Sequence, residues 1–136
     1  MDPIQIGIEI TKLVVTIFGA VVVAWYWNRT KDQLERYQYL DQSYSEILKA
    51  YFEHPQFGHS QSTSSYVSAF KEMEALRYHY FAMRVHTFLE SVFDLSKGNI
   101  PDEWVHIYRY HRRLHSAWLQ DHGDLHEPGY VSHVFD

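Results

Sequence analysis

The sequence predicts an all-α protein in which an N-terminal transmembrane helix continues into a stalk helix and a small cytoplasmic three-helix bundle. Residues 4–27 form an apolar stretch long enough to cross a bilayer. After it, apolar residues recur every three or four positions, which is typical of helices. Proline and glycine are absent between Ala20 and His54, so one helix can run from the membrane into the stalk.

Two charged residues, Glu9 and Lys12, interrupt the first third of the apolar stretch. A membrane span needs roughly 20 apolar residues, and the uninterrupted part, residues 13–27, is shorter than that. The two side chains can pair and reach the headgroup layer, which we favour, or they can face another protein inside the membrane. Gly19, followed by Ala20, offers a place where another helix could approach closely.

The end of the apolar stretch predicts a membrane interface and an orientation. It carries the aromatic and basic residues typical of that position, Trp25, Tyr26, Trp27, Arg29 and Lys31. Because basic residues remain on the cytoplasmic side, we expect the N-terminus outside the inner membrane and the remaining domain in the cytoplasm. A cleaved signal peptide is the competing interpretation, but the sequence lacks a basic leader and a small-residue cleavage site.

The remaining elements follow from helix start and stop signals. We divide the chain into an anchor (1–28), a stalk helix (29–54), a loop (55–64) and two further helices with a tail (65–136). The second helix is expected from Ser64 or Ser65 to Lys97, with Gly98 as a left-handed stop. The third is expected to start near Pro101 and to fade at Gly123. The predicted buried faces comprise Tyr66, Phe70, Phe81, Val85, Phe88, Val92 and Leu95, then Trp104, Ile107, His111, Leu114 and Trp118.

Composition and motifs exclude several function classes. With 12 Lys and Arg against 17 Asp and Glu, the formal net charge is −5, which disfavours binding to a nucleic-acid duplex. The chain has no cysteine, which excludes disulfides, thiol catalysis and thiolate metal sites. No serine elbow, phosphate-binding glycine loop or zinc-protease helix motif is present. We therefore expect neither an enzyme nor a cofactor.

Histidines and arginines supply the remaining candidate sites. His86 and Glu90 are one helical turn apart, as are His111 and His115, and such pairs can bind a metal. Helical projection, however, places His86 and Glu90 on the back of the second helix and His111 on the buried face of the third, so we expect no metal site, one core histidine and otherwise surface histidines.

Two sets of arginines predict different roles. Arg77 and Arg84 lie at the edge of the apolar face of the second helix, where they can pair internally or grip a phosphate or carboxylate. Arg109, Arg112 and Arg113 form a basic patch on the outer face of the third helix. Such a patch is usually solvated, but beside a membrane it can meet anionic headgroups.

Several segments resemble those of small bacterial membrane proteins with an N-terminal anchor and a cytoplasmic helical domain. These are the anchor with its basic exit, residues 44–57 with Leu48, His54 and Pro55, then Tyr80-Phe81, Phe88-Leu89-Glu90 and Trp118. The resemblance implies the architecture and carries no activity. The leading hypothesis is a non-enzymatic accessory subunit that binds the lipid bilayer and other membrane-protein subunits. The alternatives are a tethered sensor or effector, with a role such as defence, that binds a phosphorylated ligand, and a histidine-rich metal-binding domain.

Overall fold

The computed structural model describes residues 2–133, and within them it contains helices and no strand. The predicted all-α class is therefore confirmed. The helices are α1 (Pro3–Glu53), α2 (Ser60–Ser64), α3 (Tyr66–Ala69), α4 (Glu72–Ser96), α5 (Asp102–Leu114), α6 (Ser116–His122) and α7 (Pro128–Val131), with 3-10 turns at Pro55–Gly58 and Gly123–Leu125. The chain divides into two compact units, Met1–Tyr39 and Leu40–Asp136.

From Pro3 onward the first unit is a single stretch of helix. It belongs to α1, which continues without interruption past the predicted boundary between anchor and stalk at residue 28. From Asp2 to Tyr39 every side chain is exposed except that of Thr30, which is partly buried. This part of the helix therefore has no core of its own and is held by its backbone hydrogen bonds.

The second unit has an aromatic core around α4. The helix buries the face that its 3.6-residue period predicts, including Phe81, Val85, Phe88 and Val92. Fully burying a side chain of this size stabilises the fold by about 1.5–3 kcal/mol. The largest fully buried side chains come from six segments of this unit, namely Ile47, Phe57, Tyr78, Leu89, Tyr108, Trp118 and Tyr130.

The segment expected as a surface loop, residues 55–64, is largely helical and partly buried. It contains the Pro55–Gly58 turn and α2, and it buries Phe57 and Thr63. The ring of Phe57 lies 5.3 Å from that of Phe81 and 5.4 Å from that of Tyr78. This aromatic packing draws into the core a segment whose serines, threonine and glycine had predicted a solvated loop.

The second and third helices are each interrupted where the sequence predicted continuity. Phe70 and Lys71 are extended and separate α3 from α4, which lets the Phe70 ring pack 4.6 Å from that of Tyr78. At the junction of α5 and α6, the carbonyl of His115 accepts a hydrogen bond from His86 Nε2 at 3.0 Å. A side chain that bonds to the backbone in this way is a common companion of a helix break.

Candidate functional site

The N-terminal part of α1 exposes apolar side chains on all sides. An 18-residue window near the start of the helix has a mean hydropathy of 2.1 and contains no buried residue. By length and composition, α1 can therefore cross a membrane.

The polar groups inside this apolar stretch have partners on the helix itself. Lys12 Nζ donates to Glu9 Oε1 at 3.4 Å, so the two charges meet as their spacing predicts. The hydroxyls of Thr11 and Thr16 each donate at 2.8 Å to a carbonyl one turn earlier. A side chain added at Gly19 would meet nothing within 4 Å, so this position is an open, flat place on the helix surface.

The end of the apolar stretch carries the predicted interface residues, all exposed: Trp25, Tyr26, Trp27, Arg29 and Lys31. The guanidinium of Arg29 lies 5.2 Å from the centre of the Trp25 ring, in reach of a cation–π interaction. Lys31 Nζ lies 4.0 Å from Glu35 Oε1, one turn further on. These contacts are local to the helix and leave the aromatic rings accessible.

Inside the second unit, five side chains form one continuous hydrogen-bonded chain, which we call the Tyr–His chain. Its members, in order, are Tyr44, His111, Tyr51, His115 and Tyr78. The two hydroxyl contacts of His111 measure 3.2 Å at Nε2 and 2.9 Å at Nδ1. Those of His115 measure 2.6 Å at Nε2 and 2.9 Å at Nδ1. Tyr51 therefore bridges both histidines.

The proton count of the Tyr–His chain restricts its arrangement. Each neutral Tyr or His supplies one proton, and each contact needs one donor and one acceptor. A histidine that accepts at one ring nitrogen must donate at the other, so His111 and His115 each continue the direction of the chain. Tyr51 could accept from both histidines, but its own partly buried hydroxyl proton would then have no acceptor among the described residues. Two arrangements therefore remain, and they differ in direction. Tyr78 is 1 % exposed, and among the described residues its side chain hydrogen-bonds to His115 alone, whereas Tyr44 is partly buried.

The favoured direction therefore starts at Tyr78. Its hydroxyl donates to His115 Nδ1, because the opposite direction would leave the buried proton of Tyr78 without an acceptor. It follows that His115 and His111 both carry their proton on Nε2. The last hydroxyl proton, that of Tyr44, lies at the partly exposed end, where water can accept it.

His86 belongs to a second buried set, and its surface placement in the sequence analysis was wrong. The residue is 0 % exposed. Its Nε2 lies 3.0 Å from the His115 carbonyl, which can only accept, so Nε2 carries the proton and Nδ1 accepts from the Tyr130 hydroxyl at 2.6 Å. The projection failed because it assumed one buried face. The back of α4 is covered as well, by α6 and α7.

Burial keeps these histidines neutral. Desolvation lowers the pKa of His86 and of His111 to about 4. It also lowers the pKa of His115, where the neighbouring His86 and His111 add to the effect. Burial raises the pKa of Tyr51 and of Tyr78 in the same way. The proton count above, which takes each member as neutral, is thus consistent with the electrostatics.

The four side chains considered as metal ligands, His86, Glu90, His111 and His115, are engaged in hydrogen bonds. Both ring nitrogens of His86, His111 and His115 have partners, and Glu90 Oε2 accepts from His126 Nδ1 at 3.0 Å. Within residues 2–133, no group of three or more His, Cys, Asp or Glu side chains is arranged to hold a metal ion. His86, His111 and His115 are buried in the core of the unit.

The two arginines of the predicted anion-binding pair, Arg77 and Arg84, are both exposed on α4. Arg84 Nη2 donates to Glu46 Oε2 at 2.7 Å, and both side chains are more than half exposed. Arg77 is exposed on α4. Arg84 therefore forms an internal ion pair, which is one of the two roles expected for these arginines.

A different set of arginines lines a cavity of about 310 Å³ between α5 and the segment around α7. The lining residues are Arg109, Arg112, Arg113, Ser116, Val131, Ser132 and His133. Arg112 is only partly exposed, and its Nη2 donates to the carbonyls of Tyr130 at 2.9 Å and Val131 at 2.8 Å. The patch predicted as the solvated outer face of the third helix is thus partly enclosed.

The sequence signals for these sites were incomplete but present. The sequence contains 11 tyrosines and 10 histidines, and all the histidines follow residue 53. This composition was the signal for the buried polar core. The spacing of Tyr44 and Tyr51, two turns apart on one helix, matches that of two hydroxyls serving neighbouring histidines. The cavity depends on the return of α7 against α5, which no local pattern announces. Comparison with family models, with curated proteins and with solved structures finds no match.

Proposed function

We propose that this chain is a non-enzymatic, single-pass protein of a bacterial inner membrane, with its N-terminus outside and its helical domain in the cytoplasm. In this proposal it is an accessory or assembly-stabilising subunit of a larger membrane complex, made with other proteins or with further copies of itself. The observation that carries it is the apolar part of α1, which is exposed on every side and contains an ion pair, Glu9–Lys12. Charges are expensive in lipid, and a partner helix offers them polar contacts.

The Tyr–His chain supports a binding role over a catalytic one. Its hydroxyls and ring nitrogens are bonded to each other, and its histidines have pKa values far below neutrality. Groups that are satisfied and buried in this way stabilise one packing arrangement of a core. They are poorly placed to exchange protons with a substrate.

A charge-swap experiment distinguishes a Glu9–Lys12 pair that faces a partner protein from one that lies in the headgroup layer. The double variant Glu9→Lys/Lys12→Glu keeps the pair on the helix but reverses the charges that a partner would meet. We expect the wild-type protein, purified in mild detergent, to carry a stoichiometric partner and the swapped variant to lose it while remaining in the membrane. The matched control is Lys31→Glu/Glu35→Lys, which swaps the second pair and keeps the number of basic residues at the helix exit.

Two results would contradict the proposal. One is a wild-type protein that migrates alone as a monomer in mild detergent. The other is a partner that is retained equally by both swapped variants, which would assign the Glu9–Lys12 pair to the headgroup layer.

A further inference from the structure

We propose that the cavity between α5 and α7 is a binding site for a phosphate monoester group, held by Arg112 and Arg113 with the hydroxyl of Ser116. The cavity volume of about 310 Å³ lies at the low end for small-molecule sites. It suits a phosphate with a short organic substituent, such as a glycerol phosphate. This group occurs both as a lipid headgroup and as a soluble metabolite.

Arg112 is held in place by the protein before any ligand binds. Its Nη2 is fixed by two carbonyls, and its guanidinium lies 5.3 Å from the centre of the Tyr130 ring. The Nε of the same side chain is buried and has no hydrogen-bond partner, so it is enclosed by the protein and does not face the ligand. A fixed guanidinium that lines a cavity is well suited to bind an oxyanion.

The charges of Arg112 and Arg113 are not balanced by an acidic side chain among the described residues. Neither Arg112 nor Arg113 forms an ion pair with an acidic side chain within residues 2–133. No acidic side chain lines the cavity in that range either. A partly buried positive charge is costly without a counter-charge, so binding an anion here is favourable.

Two adjacent guanidiniums favour a phosphate over a carboxylate. Arg113 follows Arg112 directly, and Ser116, whose side chain has no hydrogen bond to any residue that the structure describes, lies one turn beyond on α6. A carboxylate matches one guanidinium fork, whereas a phosphate monoester carries nearly two charges and three acceptor oxygens. The donors around this cavity are sufficient for that larger number of acceptors.

The site can be tested with the full chain in a non-ionic detergent, using glycerol 3-phosphate as the soluble probe and glycerol as its uncharged counterpart. We expect glycerol 3-phosphate to raise the melting temperature and to bind in calorimetry, and glycerol to do neither. A parallel series in phosphatidylcholine nanodiscs with and without phosphatidic acid distinguishes a lipid headgroup from a soluble ligand. Binding in either series supports the site.

Two single substitutions make the assignment specific. Arg113→Gln should weaken binding by about tenfold or more, the usual effect of losing one charged hydrogen bond. Because Arg113 is exposed, the variant should melt at the wild-type temperature when no probe is present. The matched control, Arg77→Gln, removes an exposed guanidinium from α4 and should bind as the wild type does.

The proposal is overturned if neither glycerol 3-phosphate nor phosphatidic acid has an effect. It is equally overturned if Arg77→Gln weakens binding while Arg113→Gln does not, because that pattern would assign the ligand to α4. Neither result bears on whether the protein has a membrane partner, since the Glu9–Lys12 swap leaves the cavity unchanged.

Discussion

Tyr51 joins two histidines that belong to another part of the chain. Its hydroxyl contacts His111 Nδ1 and His115 Nε2, while its ring packs 4.8 Å from that of Phe81. The ring contributes apolar packing and the hydroxyl satisfies two ring nitrogens, so the two contributions can be measured separately.

Replacing Tyr51 with Phe should therefore destabilise the protein without emptying the core. The variant keeps the ring but leaves one buried donor and one buried acceptor without a partner, at a cost of about 1–3 kcal/mol. Thermal or chemical unfolding of the full chain measures the change. The control is Tyr39→Phe, which removes a hydroxyl from a side chain that is 66 % exposed and should leave stability unchanged. Equal stability of the two variants would contradict the Tyr–His chain.

The buried histidines predict an acid-sensitive fold. The pKa of His86 and of His111 is about 4 in the folded protein, below the ordinary value near 6.5, so the unfolded chain binds protons first as the pH falls. Stability should be complete above about pH 6.5 and decline toward pH 4, by up to about 1.4 kcal/mol per pH unit for each histidine.

Melting temperatures recorded between pH 8 and pH 4 provide the measurement. The variant His111→Phe should show a shallower decline than the wild type, whatever its stability at high pH. His106→Phe, at an exposed position on α5, should keep the wild-type slope. A melting temperature that is constant from pH 6.5 downward would rule out neutral buried histidines.

At the scale of the elements, the end of α4 shows how individual residues determine where a helix stops. Two consecutive residues there adopt left-handed conformations, Lys97 at φ 55° and Gly98 at φ 81°. The Gly98 N–H donates to the Phe93 carbonyl at 2.9 Å, which closes the helix end. The predicted stop at Gly98 is thus found, with one further left-handed residue that the sequence did not announce.

Substitutions at Lys97 and Gly98 should change the free energy of unfolding in opposite directions. Gly98→Ala places a Cβ at positive φ and 3.3 Å from the Phe93 ring, and should cost about 1 kcal/mol or more. Lys97→Gly relieves the left-handed strain of a non-glycine residue, which is of order 1 kcal/mol, and should be neutral to stabilising. Unfolding of both variants under the same conditions measures the difference. Destabilisation by Lys97→Gly would show that its side chain contributes more than its backbone costs.

The sequence predicts helical faces better than helical ends. Phe81, Val85, Phe88 and Val92 are buried as their periodicity indicates, because one face of α4 packs on the core along its whole length. His86 was misplaced because periodicity identifies the most apolar face but cannot reveal a second partner on the opposite side. That partner is the short C-terminal helices, whose fold-back depends on contacts distant in sequence.

At the scale of the whole molecule, the absence of cysteine makes the proposed orientation directly measurable. Single cysteines placed at the exposed positions Asp2 and Gln42 would be the only thiols in the chain. We expect a membrane-impermeant maleimide to label Asp2→Cys in intact cells and Gln42→Cys only after the inner membrane is opened. The parent chain should not react. The reverse labelling pattern would invert the proposed topology, and labelling of both positions in intact cells would exclude a cytoplasmic domain.

The single direction of the Tyr–His chain also determines how its hydrogens are replaced by deuterium. The hydroxyl of Tyr44 lies at the partly exposed end, whereas that of Tyr78 is enclosed and bonded to His115. Solvent deuterium should therefore reach Tyr44 first and Tyr78 only when the unit opens. A reversal of the hydrogen-bond direction requires every member of the Tyr–His chain to change together. The hydroxyl resonances of Tyr51 and Tyr78 should therefore remain in the NMR spectrum after that of Tyr44 is lost, and should then decay at one common rate.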